Sequence, residues 1–433
     1  MSDTARIRRS IGWLNLDRAV RIGVGVVQVA IVARYLGAEQ YGRLSTALAV
    51  SAILAGPSAL GLDIVMVRWL VASPALGGSG LATAVFLRLA AGCLAASGAA
   101  CAAVWIGGGI QPVIVAIAAL TCIAQAPLIL ETWFRSRVLA GPPVLAQLVG
   151  FFGAFALRLG LVYVRAPVHL FAVVAVVEIA FSSTAMFQVY RRSGGPALAG
   201  LSWKVAVDLM REAWPLAIAS VAAVFMTKID LVVLQRLEGT REAGIYAAAV
   251  RMVELPYFVP ATMVAAFTPR LVSLHSSDRK AFHQKFSELV SLLAWAGAGI
   301  ALAWCLLGPF LIRILYGAGF AGAAQVVRVC AWNTVPVGIA IVWGAFWLAE
   351  RRQLTVVLLA LFGALVALGL CYVLIPLFGA RGAALSAIAA QVAPFLLVMV
   401  LPGCRGALLA SARGVLNPWL GIHLIREIFA PQT

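Results

Sequence analysis

Apolar positions in this chain run in long stretches, separated by short clusters of charged, Gly and Pro residues. Twelve stretches stand out: residues 14–36, 44–67, 81–106, 112–130, 144–164, 169–190, 214–237, 244–269, 286–314, 326–349, 354–374 and 382–401. Each is close to the roughly 20 residues that a helix needs to cross a hydrocarbon layer. A segment surrounded by lipid must satisfy its own backbone hydrogen bonds, so all twelve are predicted as α-helices. Long unbroken runs do not fit a β-barrel, which needs short alternating segments. Pro57 interrupts the second span, and Pro256 and Pro260 interrupt the eighth. Proline removes a helix hydrogen bond, so a bend or break is expected at each. Two readings are open for these breaks: packing kinks, or the moving and binding region of the molecule.

The connections on one side of the membrane are short: 36–43, 107–111 and 165–168. Gly77-Gly78-Ser79-Gly80 and Gly107-Gly108-Gly109 are predicted as loops, and neither matches a phosphate-binding loop. The longer polar segments, 191–211 and 270–285, fall on the other side. Trp203-Lys204 through Arg211 is expected to form an amphipathic helix on the membrane surface.

Composition sharpens the class. Of 433 residues, 63% are hydrophobic and 11% charged, with a mean hydropathy of +1.00. Soluble domains run at about 45–50% apolar and about 25% charged. That balance argues against a soluble enzyme, a nucleic-acid-binding domain and a disordered chain. The net charge of +17 reads instead as topology. Nineteen Lys and Arg residues fall on one set of connections and tails, Arg191, Arg192, Arg279, Lys280 and Arg351 among them, and six on the alternate set. The richer side is cytoplasmic, and an even number of spans puts both termini there. No removable signal peptide is read at the N-terminus. The seven cysteines, Cys404 included, hold no Cys-x-x-Cys pair, and the four histidines are dispersed. No disulfide framework, metal site or cofactor is expected.

The two halves resemble each other. Gly37-Ala38-Glu39-Gln40-Tyr41-Gly42 enters the second span and Gly239-Thr240-Arg241-Glu242-Ala243-Gly244 enters the eighth, 202 positions later. Leu159-Gly160-Leu161-Val162-Tyr163-Val164 is echoed by Leu368-Gly369-Leu370-Cys371-Tyr372-Val373 at a shift of 209. Both matches occupy equivalent places in a six-span unit, which predicts a parallel repeat as in alternating-access transporters. The expected division is an N-terminal six-helix lobe at 1–190, a cytoplasmic linker at 191–213, a C-terminal six-helix lobe at 214–401 and a cytoplasmic tail at 402–433.

These residues resemble a family. Tyr35-Leu36-Gly37-x-x-x-Tyr41-Gly42, then Leu60-Gly61-Leu62-Asp63 and Arg68, are similar to the bacterial polysaccharide (O-antigen type) flippases of the multidrug/oligosaccharidyl-lipid/polysaccharide exporter superfamily. Lys228-Ile229-Asp230-Leu231, Ala243-Gly244-Ile245-Tyr246, Leu315-Tyr316-Gly317-x-x-Phe320 and Ile375-Pro376-x-x-Gly379-x-x-Gly382 continue the resemblance through the second half. The first span departs from the pattern in opening with Asp17, Arg18 and Arg21. The resemblance implies an all-α polytopic membrane protein of about twelve helices in two lobes around a central cavity. It implies a substrate of polyprenyl-diphosphate-linked oligosaccharide, moved from the inner to the outer leaflet of the bacterial cytoplasmic membrane for surface polysaccharide synthesis. Membrane lipids, a polymerase and other polysaccharide-assembly proteins are the implied partners, and nucleic acid is not.

Charge inside the membrane marks the candidate site. An ionisable side chain at mid-bilayer costs at least about 2.5–3.5 kcal/mol, so it faces a cavity, finds a partner or snorkels. Arg34 and Arg328 lie near helix ends, where snorkelling accounts for them. Arg158 and Glu178, about 9 and 13 Å below the outer surface, are expected to form a salt bridge. Lys228, Asp230, Arg251 and Glu254 reach a similar depth on the seventh and eighth spans, about 10–15 Å below the outer face. They are open to two readings, neutralised ion pairs or a substrate or ion-coupling site. Arg18, Arg21 and Arg88 lie roughly 6–10 Å above the cytoplasmic face. Asn15, Arg18, Arg21 and Gln28 share one side of the first helix. Those arginines either snorkel to headgroups or hold a diphosphate, whose oxygens match guanidinium forks.

Three functions compete. A flippase would use the cationic residues to accept a diphosphate. An ion-coupled exporter of small cationic drugs would need an acidic cavity, whereas the deep residues are mostly basic. A membrane glycosyltransferase or polymerase would need catalytic acids or a sizeable outward loop, and neither is found in the sequence.

Overall fold

The computed structural model describes residues 3–73, 77–106, 111–350, 352–400 and 405–429. Gly107, Gly108, Gly109, Arg351 and Cys404 lie outside them. Every regular element among the described residues is helical. The chain forms two compact units, residues 1–244 and 245–433. The first holds α1 (Asp3–Ala59), α2 (Leu62–Ala72), α3 (Gly77–Ile106), α4 (Pro112–Ala119), α5 (Thr121–Ala124), α6 (Glu131–Ser136), α7 (Gly141–Tyr163), α8 (Val168–Arg192), α9 (Trp203–Glu238) and the start of α10 (Thr240–Val253). The second continues with α11 (Phe258–Ser277), α12 (Arg279–Tyr316), α13 (Ala323–Cys330), α14 (Thr334–Glu350), α15 (Gln353–Phe378), α16 (Ala380–Val400), α17 (Arg405–Leu416) and α18 (Pro418–Phe429).

Among the described residues, ten helical stretches are long and apolar enough to cross a membrane. The first, Leu16–Ala72, contains two of the predicted spans. The predicted eighth span, broken between α10 and α11, is not among the ten. The protein is an all-α polytopic membrane protein with a twelve-span, two-lobe layout.

The connection predicted at 36–43 is a corner of one residue. Gly37 sits at φ 69°, ψ 171° inside α1, a region essentially reserved for glycine. Gly239, its counterpart 202 positions on, joins α9 to α10 at φ 90°, ψ 177°. The repeat seen in the sequence is therefore also a repeat of backbone conformation.

The breaks follow local chemistry. Pro57 lies in the last turn of α1, after which Leu60 and Gly61 take left-handed conformations before α2 begins. A Cβ on Gly61 would stand 2.6 Å from the Ala217 nitrogen, so this corner is seated directly on α9. Pro256 lies in the 3-10 turn Leu255–Tyr257 between α10 and α11. The fourth and tenth spans are broken as well, by 3-10 turns at Ala126–Leu130 and Ala331–Asn333.

Two expectations are corrected. Gly77 to Gly80 do not form a loop but open α3, because the 193–202 segment lies across them. Tyr190 Oη donates to the Pro196 carbonyl at 2.6 Å, and the Ser202 N–H to Thr83 Oγ1 at 3.3 Å. A Cβ on Gly78 would fall 2.6 Å from the Ala197 oxygen. Trp203 to Arg211 is not a separate surface helix, since α9 continues through Pro215 to Glu238.

Helices in lipid associate through close packing, with small residues where backbones approach. In the first unit, Gly150 of α7 fits against Glu178 and Ser182 of α8. One core joins Leu62, Met66, Trp133, Phe134 and Tyr190, and another joins Val32, Leu44, Ile114 and Phe171. The second unit centres on Phe282, Phe286, Trp343 and Phe346, with Phe286 and Trp343 edge to face at 5.4 Å. Such aromatic pairs add about 0.5–1.5 kcal/mol each beyond area burial.

Candidate functional site

The N-terminal half of the first span supplies a connected polar group. Asp17 and Arg21 are four apart on α1 and so share a face. Arg21 Nε donates to Asp17 Oδ1 at 2.7 Å, and its Nη2 to Gln147 Oε1 at 3.3 Å. Gln147 Nε2 donates onward to Glu131 Oε2 at 2.9 Å, and Arg135 Nε to Glu131 Oε1 at 2.8 Å. The guanidinium of Arg21 also lies over the Phe151 ring, 5.3 Å from its centroid. The network ties α1 to α6 and α7, yet 32% of the Arg21 side chain stays accessible. A guanidinium in that setting has donors ready to exchange a carboxylate for a phosphate oxygen. Arg18 stands three positions before Arg21 on the same helix.

Arg88, on α3, is buried and donates to Asp63 Oδ2 at 2.5 Å. Asp63 occupies the first turn of α2, where a negative charge also complements the helix dipole. The structure therefore pairs Arg88 with a carboxylate of the Leu60-Gly61-Leu62-Asp63 motif.

Lys228, Asp230, Arg251 and Glu254 separate into two groups. Lys228 and Asp230 lie on α9 in the first unit, where Asp230 is buried and Oδ1 accepts from the Leu231 N–H at 2.7 Å. Arg251 and Glu254 lie within one turn in the second unit, 4.0 Å apart, with Arg251 exposed.

Arg158 and Glu178 form the expected bridge between α7 and α8, at 2.8 Å. Gln28 of α1 completes it by accepting from the Arg158 guanidinium. Arg34 and Arg328 are exposed.

Sequence reasoning missed Gln147, Glu131 and Asp63 as partners. Glu131 and Arg135 carried a signal in their four-residue spacing. Gln147 stood as a lone amide in an apolar helix. Another missed group is Glu350, at the end of α14. It accepts from Arg279 Nη1 at 3.3 Å and sits 3.0 Å from His275 Nε2. Burial alone would raise the Glu350 carboxyl. The His275 hydrogen bond and the Arg279 and Arg352 charges outweigh it and hold the group below its ordinary value.

Solved structures place the fold. Lipid II flippase MurJ in its inward closed conformation matches with a TM-score of 0.72 at 12% identity, over 98% of this chain and 93% of that one. An inward-facing multidrug resistance MATE family transporter of the MOP superfamily gives 0.69 at 13%, over 97% and 100%. A MOP superfamily transporter from Pyrococcus furiosus gives 0.61 at 13%, over 97% and 96%. No curated protein matches the sequence. At these identities the likeness speaks for the fold alone, which is that of MOP superfamily transporters. The sequence itself carries the kinship: the model of the family described as polysaccharide biosynthesis protein matches residues 7–275, more than half of the chain, and the protein belongs to that family.

Proposed function

We propose that this chain is a flippase that carries polyprenyl-diphosphate-linked oligosaccharide from the inner to the outer leaflet of the bacterial cytoplasmic membrane by alternating access. The division at 191–213 separates the two six-span repeats, and both termini face the cytoplasm. Membrane lipids and the substrate are its direct partners, and a polymerase with other assembly proteins consumes what it delivers. The chain itself performs transport and makes or breaks no covalent bond.

The observation that carries this reading is the Arg21 network on a family member. Arg21 is accessible, cationic and already held by a carboxylate. An arriving diphosphate competes with Asp17 for the same fork and brings more charge to it. Arg18 adds a second cation on the same helix. An anion left without such partners in a low-dielectric path would be too costly to move. Arg251 is exposed and offers a cation in the outer half, while Lys228 and Arg88 stand beside acids, in sequence and in space respectively. In this reading Asp230 and Glu254 couple the cycle to an ion gradient.

Lipid-linked intermediates in cells lacking the protein test the reading. Complete repeat units should accumulate on the cytoplasmic side, and accumulation on the outer side would point to a polymerase. In complemented cells Arg21→Gln should lose transport at normal protein levels. Arg21→Lys should keep part of it, because a point charge still attracts phosphate but lacks the fork. Normal transport by both Arg21→Gln and Arg251→Gln would overturn the cationic path.

A further inference from the structure

Residues 405–429 are held against α12 rather than trailing from the last span. A Cβ on Gly414 would lie 2.5 Å from the Ser287 carbonyl oxygen, and one on Gly421 would lie 2.9 Å from the Leu292 Cα. The corner between α17 and α18, at Asn417, is bound by two side chains of α12. Ser291 Oγ donates to the Asn417 carbonyl at 2.7 Å, and Trp295 Nε1 to the Val415 carbonyl at 3.1 Å. The corner also closes its own polar groups. The Asn417 N–H donates to the Arg413 carbonyl at 3.0 Å, and the Trp419 N–H to Asn417 Oδ1 at 3.1 Å.

The depth of this corner follows from α12. The helix is polar from Arg279 to Glu288, and no charged side chain occurs from Leu289 to Ile312. Trp295 therefore stands roughly 10 Å beyond Glu288, on the apolar stretch. The corner exposes two large apolar side chains, Leu416 at 82% and Trp419 at 71%, and between them Asn417, whose backbone carbonyl and Oδ1 already accept hydrogen bonds. A helix of 12 residues, the length of α17 and of α18, is too short to cross a bilayer. Irregular backbone at membrane depth is tolerated where protein satisfies it, and here Ser291 and Trp295 do so. Arg413, one turn before the corner, is exposed and long enough to snorkel toward the Arg405 end of α17.

We infer that the Leu416–Asn417–Pro418–Trp419 corner is a membrane anchor, inserted among the acyl chains of the leaflet on the Arg279 side of α12 without crossing it. In the topology proposed above this is the inner leaflet. The occupant of the exposed Leu416 and Trp419 faces is lipid, not a second copy of the chain. The inference rests on α12 spanning the membrane, and the experiment separates the two.

Nitroxide labels are placed by Leu416→Cys, Trp419→Cys, Leu306→Cys and Ser277→Cys in the full chain with its seven native cysteines replaced. The protein is reconstituted in phosphatidylethanolamine–phosphatidylglycerol vesicles, and collisions with oxygen and with a water-soluble nickel chelate are compared. Leu416 and Trp419 should show an oxygen-to-nickel ratio several-fold above Ser277 and close to Leu306, an exposed residue inside the α12 span. Nickel access equal to Ser277, with Leu306 still in lipid, would overturn the anchor alone. Nickel access at Leu306 would overturn the span and the anchor together. Dipolar broadening between Leu416 labels would assign the face to a second copy and overturn lipid as the occupant.

Discussion

Gly42 and Gly244 lie against each other where α1 crosses α10, and each holds in its repeat the place the other holds in its own. A Cβ on Gly42 would stand 1.9 Å from the Thr240 oxygen, and a Cβ on Gly244 would stand 1.8 Å from the Ala38 oxygen. Ala38 and Thr240 are separated by the same 202 positions as the two glycines. The contact is self-complementary, as contacts about a two-fold axis are. The repeat motif thus packs against its own copy, and neither glycine can carry a side chain without moving backbone.

Gly42→Val and Gly244→Val should each destabilise the protein by about 1–3 kcal/mol, the range for overpacking a tight site. Gly25→Ala, in α1 with open space around it, should be neutral or stabilise by up to about 1 kcal/mol. Thermal unfolding in detergent checks both. Equal behaviour of the two α1 positions would show that the crossing is not tight.

Arg88 and Asp63 should couple in a double-mutant cycle. Breaking a fully buried ion pair costs about 3–5 kcal/mol, and the half-exposed Asp63 places this pair below that range. Arg88→Met should lower stability less than Asp63→Asn, which leaves a cation buried. The double substitution should recover part of the loss. Strict additivity of the two effects on the unfolding midpoint would count against the pair.

Glu350 should give the protein an acid-sensitive contribution to stability. Its carboxyl titrates below the ordinary value of 4.5 in the folded chain. The folded state therefore favours the charged form, and the contribution is fully present above about pH 4.5. It is lost as pH falls through the lowered folded value. Glu350→Gln should flatten the unfolding midpoint against pH in that window. An unchanged acid limb in the variant would remove Glu350 as its source.

A cysteine in place of Glu39 should react with an impermeant thiol reagent from outside the cell, and one in place of Ser277 should not. Both positions are exposed, so reactivity reports the side of the membrane. The opposite pattern would reverse the orientation and the direction of transport drawn from it.

Local chemistry was readable in the chain where one residue type decides the outcome. The breaks expected near Pro57 and Pro256 are found at Leu60–Gly61 and at the Leu255–Tyr257 turn, whereas α9 runs on through Pro215. Depth alone matched Arg158 to Glu178. Outcomes that depend on a distant segment were not readable. Gly77 to Gly80 have loop propensity, but the 193–202 strap packs on them as a helix. Gln147 and Glu131 meet Arg21 only because three helices converge there. The placement of α17 and α18 depends on Ser291 and Trp295, more than 100 residues earlier.

The single-residue joint at Gly37 carries a mechanical consequence. Successive Cα atoms are about 3.8 Å apart, so a joint of one residue has almost no slack. The rods on either side of Gly37 cannot slide past one another or part at that end, and the same holds on either side of Gly239. Each pair behaves like a set of tongs with its rivet at one surface of the membrane. Within each pair, separation is confined to the far tips, so at the riveted surface the two rods of a pair move together by tilting.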